Sequence, residues 1–366
     1  MTILEATYRA SARFELKRLD ELTPEQRQPF QELALDDDFY GLLFPRTAAL
    51  TVKAVGRDVA ALLATLASPS RLGTTALGAD DVIDLVLDGV LEIEHGGAFV
   101  SGAGALAIVC DAGALAAPSG LSLQALQYAA DLAEDDSDRL SSALYLYNRI
   151  PMTAFWKARF PNHEAVLAHI SAGKAEAHWH VAPPSQSNGW ISFHARERRR
   201  YVAGAAVYKL YVSPRPENIR EAFDAVVRTL AGRGLDFKIG SDAAGLLRPD
   251  KLVIYLGGRS EIDDVAGVLR ARLAGCAVHG VPFTASDGGD ALLSWGVDPP
   301  DEERVLSWLG RESWRLWLAN KLGAALAFAK SEASADAWRF AIERVRRLGI
   351  DVERWTPSAS LWSSAA

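Results

Sequence analysis

Hydrophobic and polar positions in the C-terminal half of the chain alternate as they do in short strands separated by helices. The runs HWHVA, GWISFHA, YKLYVS, LDFKI and KLVIYL have a period of two, which is typical of strands. An amphipathic helix is predicted over ENIREAFDAVVRTLAGRG, and further helices are predicted at about 260–275, 302–330 and 334–348. Strand and helix runs mixed in this way predict an α+β domain over residues 176–366.

The N-terminal region has a different pattern. Residues 1–120 begin with helical periodicity, and ADDVIDLVLDGVLEIEHGGAFVSG predicts a helix followed by a hairpin that turns at Gly96 and Gly97. This pattern predicts a mainly helical N-terminal region with a winged-helix-like hairpin. The segment is rich in carboxylates and poor in basic residues, which favours a structural or peptide-docking role over DNA binding. Residues 121–175 are predicted to be a helical connector.

Length, composition and charge exclude several classes of protein. A chain of 366 residues with 49% hydrophobic and 23% charged residues is typical of a globular protein of about two to three domains. The net charge of −7 gives no general attraction for nucleic acid or an anionic membrane. The N-terminus shows no apolar signal segment, and the apolar stretch from Gly102 to Ala117 is too short to cross a bilayer. Two cysteines, Cys110 and Cys276, form no disulfide framework, which predicts a cytoplasmic protein.

Motifs for common cofactors are missing from the sequence. There is no GxxxxGK[ST], no GxGxxG between a strand and a helix, no GxSxG and no HExxH. His178 and His180 share one face of a strand, but no Cys or carboxylate stands near enough in the sequence to complete a metal site. We therefore expect no cofactor and no metal, and a surface or partly buried histidine pair.

Positive charge is concentrated between Arg196 and Lys251. This window has twelve Lys and Arg against seven Asp and Glu, so it carries +5 in a chain of −7 and leaves −12 for the rest. A basic segment in an acidic protein predicts a local anion site. The run ARERRR at its start is equally consistent with a solvated turn or an edge strand.

The alternation within this window brings candidate side chains to one face. In YKLYVS, Lys209 and Tyr211 lie on the opposite face from Leu210. Lys238 ends a strand one helix later, and Arg248 precedes the strand KLVIYL. If these strands are neighbours, the four side chains converge on one small anion. The alternative is that the lysines are exposed at strand edges and the tyrosine is a packing residue.

Three longer runs carry a resemblance to a known family. The segments YKLYVSPRPENIREAF, GVPFTASDGGDALLSWGVDPP and SWRLWLANKLGAALA resemble the Hop-type A effector family, first known among bacterial type III effectors, over roughly residues 140–330. Relatives of that family occur in gene clusters for lanthipeptides and for thioamidated peptides that bear an aminovinylcysteine ring. A fainter similarity links the chain to phosphothreonine lyases. Lys209, Lys238 and Arg248 match their phosphate-site lysine, base lysine and arginine, whereas Tyr211 stands where the lyases carry a general-acid histidine.

The resemblance implies a phosphothreonine-lyase-like α+β domain and a carbon–oxygen lyase. Such an enzyme removes phosphate from phosphoserine or phosphothreonine in a peptide and leaves dehydroalanine or dehydrobutyrine. Lys238 is the candidate base, Lys209 and Arg248 bind phosphate, and Tyr211 protonates or hydrogen-bonds the leaving oxygen. Further phosphate ligands are expected at Arg315 and Arg304. We expect Asp298, in the DPP segment, to be a turn or helix-cap residue.

The same resemblance implies partners. The substrate is expected to be a phosphorylated precursor peptide with its leader, in the biosynthesis of a ribosomal peptide product. A separate Ser/Thr kinase is implied because this chain has no ATP-binding motif, and a cyclase or decarboxylase is a further candidate partner. Two alternatives remain at this stage: a non-catalytic phosphopeptide-binding adaptor for a partner kinase, and an effector-like protein.

Overall fold

A computed structural model describes residues 3–47, 50–73, 77–110, 120–185, 189–198, 206–289, 291–300, 306, 308–358 and 361. The helices are α1 Pro24–Arg27, α2 Arg57–Thr65, α3 Ala79–Leu87, α4 Leu106–Val109, α5 Gly120–Asp131, α6 Ser137–Leu146, α7 Ala154–Arg159, α8 His163–Ile170, α9 Ile219–Leu230, α10 Ala243–Leu246, α11 Arg259–Arg272, α12 Trp314–Ser331 and α13 Ala337–Arg347. The strands are β1 Thr7–Ala10, β2 Phe14–Lys17, β3 Phe39–Pro45, β4 Lys53–Gly56, β5 Ser70–Arg71, β6 Leu91–His95, β7 Ala98–Val100, β8 Trp179–Ala182, β9 Trp190–Ala195, β10 Tyr208–Val212, β11 Phe237–Gly240, β12 Leu252–Leu256, β13 Ala285–Ser286, β14 Leu293–Val297, β15 Ile350–Asp351 and β16 Thr356–Pro357. The chain has an α+β fold, as the sequence predicts.

The largest sheet has seven strands in the order β13-β14-β10-β12-β11-β9-β8, and neighbouring strands are antiparallel. The five strands predicted from alternation in the C-terminal half are all members of this sheet. One face is apolar, and its side chains pack with those of α9 and α11 in a buried core. Because side chains alternate between the faces of a strand, the polar residues of the same strands lie together on the opposite face.

Helices α12 and α13 belong to a second core. Their buried side chains pack with those of α3, α5, α6, β1 and β6. Part of the helix predicted at about 302–330 is present as α12, which begins at Trp314, where Ser313 caps it by accepting a hydrogen bond from the backbone N–H of Leu316 at 3.4 Å; residues 301–305 and 307 lie outside the described residues. The C-terminal helices therefore share a hydrophobic core with N-terminal strands.

The N-terminal region contains more strand than its helical pattern predicts. The predicted helix and hairpin are present as α3, β6 and β7, and the turn at Gly96 and Gly97 has φ of 60° and 83°. The hairpin joins the sheet β5-β1-β6-β7, and β2, β3 and β4 form a separate sheet. Strands such as β1 and β2 are four residues long, too short to give a clear two-residue period. In the part of the chain that the structure describes, no helix is long and apolar enough to cross a membrane.

Candidate active site

The polar face of the large sheet brings the predicted residues together. Tyr211 on β10 pairs with Val253 on β12, and Val253 pairs with Lys238 on β11. Lys209, two residues before Tyr211, pairs with Tyr255 on β12. Residues two apart on a strand share a face, so Lys209, Tyr211, Tyr255 and Lys238 lie side by side on this one. The predicted common face of Lys209 and Tyr211 is confirmed.

Lys238 is held between aromatic rings. Its Nζ lies 4.3 Å from the ring centre of Trp190 and 5.6 Å from that of Tyr255. Among the residues that the structure describes, the amine has no hydrogen-bond or ion-pair partner. Burial and the nearby charges of Lys209 and Arg248 lower the pKa of Lys238 to about 8, although Asp250 and Asp298 act to raise it. The amine therefore has a substantial neutral fraction near pH 8, which a general base needs.

Lys209 is a buried cation with a carboxylate partner. Its side chain is 9% exposed, and its Nζ lies 2.5 Å from Oδ2 of Asp298. The other oxygen of Asp298, Oδ1, accepts a hydrogen bond at 3.0 Å from the backbone N–H of Trp314, the first residue of α12. Asp298 therefore contacts the N-terminus of α12, whose capping residue is Ser313, and it fixes Lys209 relative to that helix.

Arg248 lies at the same site and is bound by Asp250. Its Nε donates to Oδ1 of Asp250 at 2.9 Å, and its Nη2 donates to Oδ2 at 3.0 Å. Nη2 also donates to the hydroxyl of Tyr145 at 2.8 Å. The edge of the guanidinium that carries Nε and Nη2 is thus occupied by Asp250, so Arg248 cannot bind phosphate with two hydrogen bonds through that edge. In the described part of the chain, Nη1 is the nitrogen of Arg248 left without a hydrogen bond.

A tight turn places Arg248 and Asp250 at the end of the sheet. After β11, the chain makes the short helix α10, and the backbone of Gly240 packs directly on that of Gly245. A Cβ at Gly240 would overlap the carbonyl carbon of Gly245 and lie 2.7 Å from its Cα. Two glycines permit this close approach, which returns the chain to β12 within a few residues.

Arg315 is fully buried beneath Arg248. It is 1% exposed, and its Nη1 lies 2.8 Å from Oδ2 of Asp250 but outside hydrogen-bond geometry. Its Nη2 donates to the backbone oxygen of Tyr145 at 2.8 Å. Burial raises the pKa of Asp250, but the charges of Arg315 and Arg248 together outweigh it and hold the pKa well below its usual value, so this carboxylate stays charged. Arg315 therefore contacts Asp250 and Tyr145 and stabilises their positions at the site. Its direct contact with phosphate stays a prediction.

Tyr211 is buried in the same face. It is 3% exposed and packs with Val253 and Val281. Burial raises the pKa of Tyr211 well above its usual value, and the charge of Asp298 raises it further. Its hydroxyl has no hydrogen-bond partner within the described ranges. Tyr211 is therefore a neutral phenol with a free O–H.

The remaining predictions have different outcomes. Arg304 lies outside the described residues, so its role as a phosphate ligand stays a prediction. His178 and His180 are both exposed, which confirms a surface histidine pair. No group of three or more His, Cys, Asp or Glu in the described residues is arranged to hold a metal ion.

Sequence reasoning missed Asp250, Tyr145, Trp190 and Tyr255. Asp250 lies two residues after Arg248, inside the charged window, and its position next to a candidate arginine was the signal available. Trp190 and Tyr255 lie on predicted strands. The pairing of these strands puts their side chains on the same face of the sheet as the candidate lysines. Tyr145 is 103 residues from Arg248 in the chain, and no local pattern predicts their contact.

Solved structures with a distant likeness to this chain include bacterial effectors and lyases. An effector protein from Pseudomonas syringae pv. tomato strain DC3000 is 11% identical, with a TM-score of 0.43, over 65% of this chain and 97% of the effector. The phosphothreonine lyase OspF from Shigella flexneri is 13% identical, with a TM-score of 0.26, over 37% of this chain and 78% of the lyase. No family model and no curated protein matches the chain. At this distance, the side chains of the site must decide the activity.

Proposed function

We propose that the protein is a phosphoserine and phosphothreonine lyase that eliminates phosphate from a peptide, leaving dehydroalanine or dehydrobutyrine. The observation that carries the proposal is Lys238, an amine with a lowered pKa and no acceptor among the described residues. It shares a sheet face with Lys209 and lies near Arg248, so a base and two cations are within one site. Elimination of phosphate needs this combination because a weakly acidic proton must leave while negative charge develops on the phosphate.

In this mechanism, neutral Lys238 removes the α-proton of the phosphorylated residue. The electron pair of the Cα–H bond forms a double bond to Cβ, and the bond from Cβ to the phosphate oxygen breaks. Burial of the amine disfavours the ammonium form and outweighs the attraction that the ring faces of Trp190 and Tyr255 exert on the cation. A lysine suits the task because its pKa shifts readily on burial, whereas arginine stays protonated.

Phosphate binds to the cations next to the base. Nη1 of Arg248 donates to a phosphate oxygen, Lys209 supplies a second positive charge, and the free O–H of Tyr211 donates to the phosphate. Asp250 and Asp298 hold the two cations in place before the substrate arrives. Cations fixed in this way stabilise the developing charge without reorganising. Arg315 and Arg304 remain candidate phosphate ligands.

The proposed substrate is a precursor peptide of a ribosomally made product, phosphorylated by a separate Ser/Thr kinase in the cytoplasm. This context is supported by the sequence resemblance to relatives in lanthipeptide and aminovinylcysteine gene clusters. A leader segment of the precursor and a downstream cyclase or decarboxylase would complete the set of partners. The chemistry assigned to the site requires no metal and no organic cofactor, since base, cations and hydrogen-bond donors are side chains.

The test is intact mass spectrometry of a phosphoserine peptide incubated with purified protein in EDTA and without ATP. We expect the peptide to lose one phosphoric acid and then to form an adduct with an added thiol. Lys238→Ala should abolish turnover while phosphopeptide binding is largely kept. Lys238→Arg should also be inactive, because it keeps the positive charge but cannot act as a base.

The matched control is Lys174→Ala, at an exposed lysine whose side chain is 56% accessible. This variant should turn over the peptide like the wild type. An unchanged peptide mass together with measurable binding of the authentic phosphorylated precursor would rule out the lyase and favour the phosphopeptide-binding adaptor. In that case, each cation removed should weaken binding by a step, with no special role for Lys238.

A further inference from the structure

The hydroxyl of Tyr145 has an unusual hydrogen-bond environment. Its oxygen accepts a hydrogen bond from Nη2 of Arg248 at 2.8 Å, and its own proton has no acceptor in the part of the chain that the structure describes. A hydrogen bond from a cation stabilises the phenolate that remains after the hydroxyl has transferred its proton. Tyr145 is partly exposed, so a substrate can reach it.

The ring of Tyr145 is held in a fixed orientation. The guanidinium carbon of Arg315 lies 4.8 Å from the ring centre, and that of Arg248 lies 5.4 Å from it. The backbone oxygen of the same residue accepts a hydrogen bond from Nη2 of Arg315. A phenol fixed by two arginines and by its own backbone keeps its hydroxyl next to Arg248, the proposed phosphate ligand, before substrate binds.

The neighbouring tyrosines have less favourable surroundings for giving up a proton. Burial and the charge of Asp298 raise the pKa of Tyr211, and burial is the largest cause of the raised pKa of Tyr255. In the described residues, no cation donates a hydrogen bond to the hydroxyl oxygen of either one. A phenolate formed at either position would lack the stabilisation that Arg248 gives at Tyr145.

We propose that Tyr145 is the proton donor to the departing phosphate oxygen, an assignment that rests on the proposed lyase function. As the bond from Cβ to oxygen breaks, its electron pair goes to the phosphate oxygen, and the proton of the Tyr145 hydroxyl is transferred to that oxygen. The products are the dehydro residue and hydrogen phosphate, and the enzyme is left with an ammonium at Lys238 and a phenolate at Tyr145. Transfer of a proton from Lys238 to Tyr145 through water restores the starting state, so the step balances.

The helical segment of residues 121–175 then belongs to the catalytic centre. Helix α6 carries Tyr145 in its last turn and packs against α12, which carries Arg315. The site is therefore completed by a helix outside the sheet that supplies Lys209, Tyr211 and Lys238. Tyr211 binds phosphate in this scheme, while Tyr145 transfers the proton.

The test compares two leaving groups in one peptide, phosphoserine and S-phosphocysteine. Both present a phosphoryl group to the same cations, but a departing sulfur is a weaker base than a departing oxygen and needs less help from an acid. Tyr145→Phe should lower kcat on phosphoserine by about 100-fold to 10,000-fold, the usual contribution of a general acid. On S-phosphocysteine, we expect a loss of less than about 10-fold.

The control is Tyr147→Phe, two residues further on, whose ring packs against Tyr128 with ring centres 5.4 Å apart. It should keep kcat on both peptides. Equal losses for Tyr145→Phe on the two peptides would indicate a structural role, and full activity would show that the hydroxyl is not used; either result overturns the assignment. A selective loss for Tyr211→Phe instead would assign the acid to Tyr211. A wild-type protein inactive on both peptides would overturn the proposed function and this assignment with it.

Discussion

At the scale of single residues, the pKa of Lys238 depends on a neighbouring cation. Lys209 lowers that pKa and its partner Asp298 raises it. Lys209→Met removes the cation and keeps Asp298, so the pKa of Lys238 should rise above about 8. We therefore expect the pH at which Lys238 becomes reactive toward acetic anhydride to move upward, measured by competitive labelling and mass spectrometry.

Lys209→Arg is the matched control because it keeps a positive charge beside Lys238. Its labelling midpoint should stay near that of the wild type. Turnover by the wild type should rise as the pH increases through about 8 and then level off, since the neutral amine is the active form. Identical midpoints in the wild type and Lys209→Met would contradict the coupling between the two lysines.

At the scale of helices and strands, α6 is placed by its close contact with α12. A Cβ at Gly323 of α12 would overlap Oγ of Ser141 and lie 2.7 Å from the backbone nitrogen of Ser141 and 2.9 Å from the oxygen of Ser137. These atoms belong largely to the backbone of α6 and cannot move alone. Gly323→Ala should lower the free energy of unfolding by about 1–3 kcal/mol through overpacking, measured by urea denaturation. Turnover should fall as well, because α6 carries Tyr145.

Gly267→Ala in α11 is the control for the helix propensity of alanine. Nothing lies within 4 Å of a Cβ at Gly267, so this change should stabilise the protein by up to about 1 kcal/mol. If Gly323→Ala were as stable as Gly267→Ala, the close approach of the two helices would not be a constraint on the fold.

The arrangement of strands and helices also explains which parts of the site can be predicted from the sequence. Alternation finds β10, β11 and β12 because each strand has one apolar and one polar face, and it therefore brings Lys209, Tyr211 and Lys238 together. It cannot find Tyr145, because that contact depends on how α6 packs against α12 rather than on any spacing along the chain. It also cannot tell that Asp250 would occupy one edge of Arg248, since charge windows count residues without regard to direction.

At the scale of the whole molecule, one buried hydrogen-bond chain joins distant segments. Nζ of Lys251 donates to the backbone oxygen of Pro214 at 2.9 Å and lies 2.7 Å from Nδ1 of His279. Nε2 of His279 lies 2.5 Å from the backbone oxygen of Asn148, so a neutral imidazole accepts from Lys251 and donates to Asn148. These hydrogen bonds link the start of β12, the segment before β13 and the helical connector. They are present only in the folded protein.

Because this hydrogen-bond chain is buried, it makes the stability of the protein depend on pH. Burial lowers the pKa of Lys251 to about 7 and that of His279 to about 4, below their values of about 10.4 and about 6.5 in an unfolded chain. The unfolded state therefore binds more protons, and stability rises with pH, between about 4 and 6.5 for His279 and between about 7 and 10.4 for Lys251. Between pH 7 and 9, the wild type should gain about 2 kcal/mol relative to Lys251→Met, measured by urea unfolding at both pH values. Lys157→Met, at an exposed position of α7, is the control for the loss of a lysine. If the plots of unfolding free energy against pH were parallel for the wild type and Lys251→Met, Lys251 would be protonated alike in the folded and unfolded states.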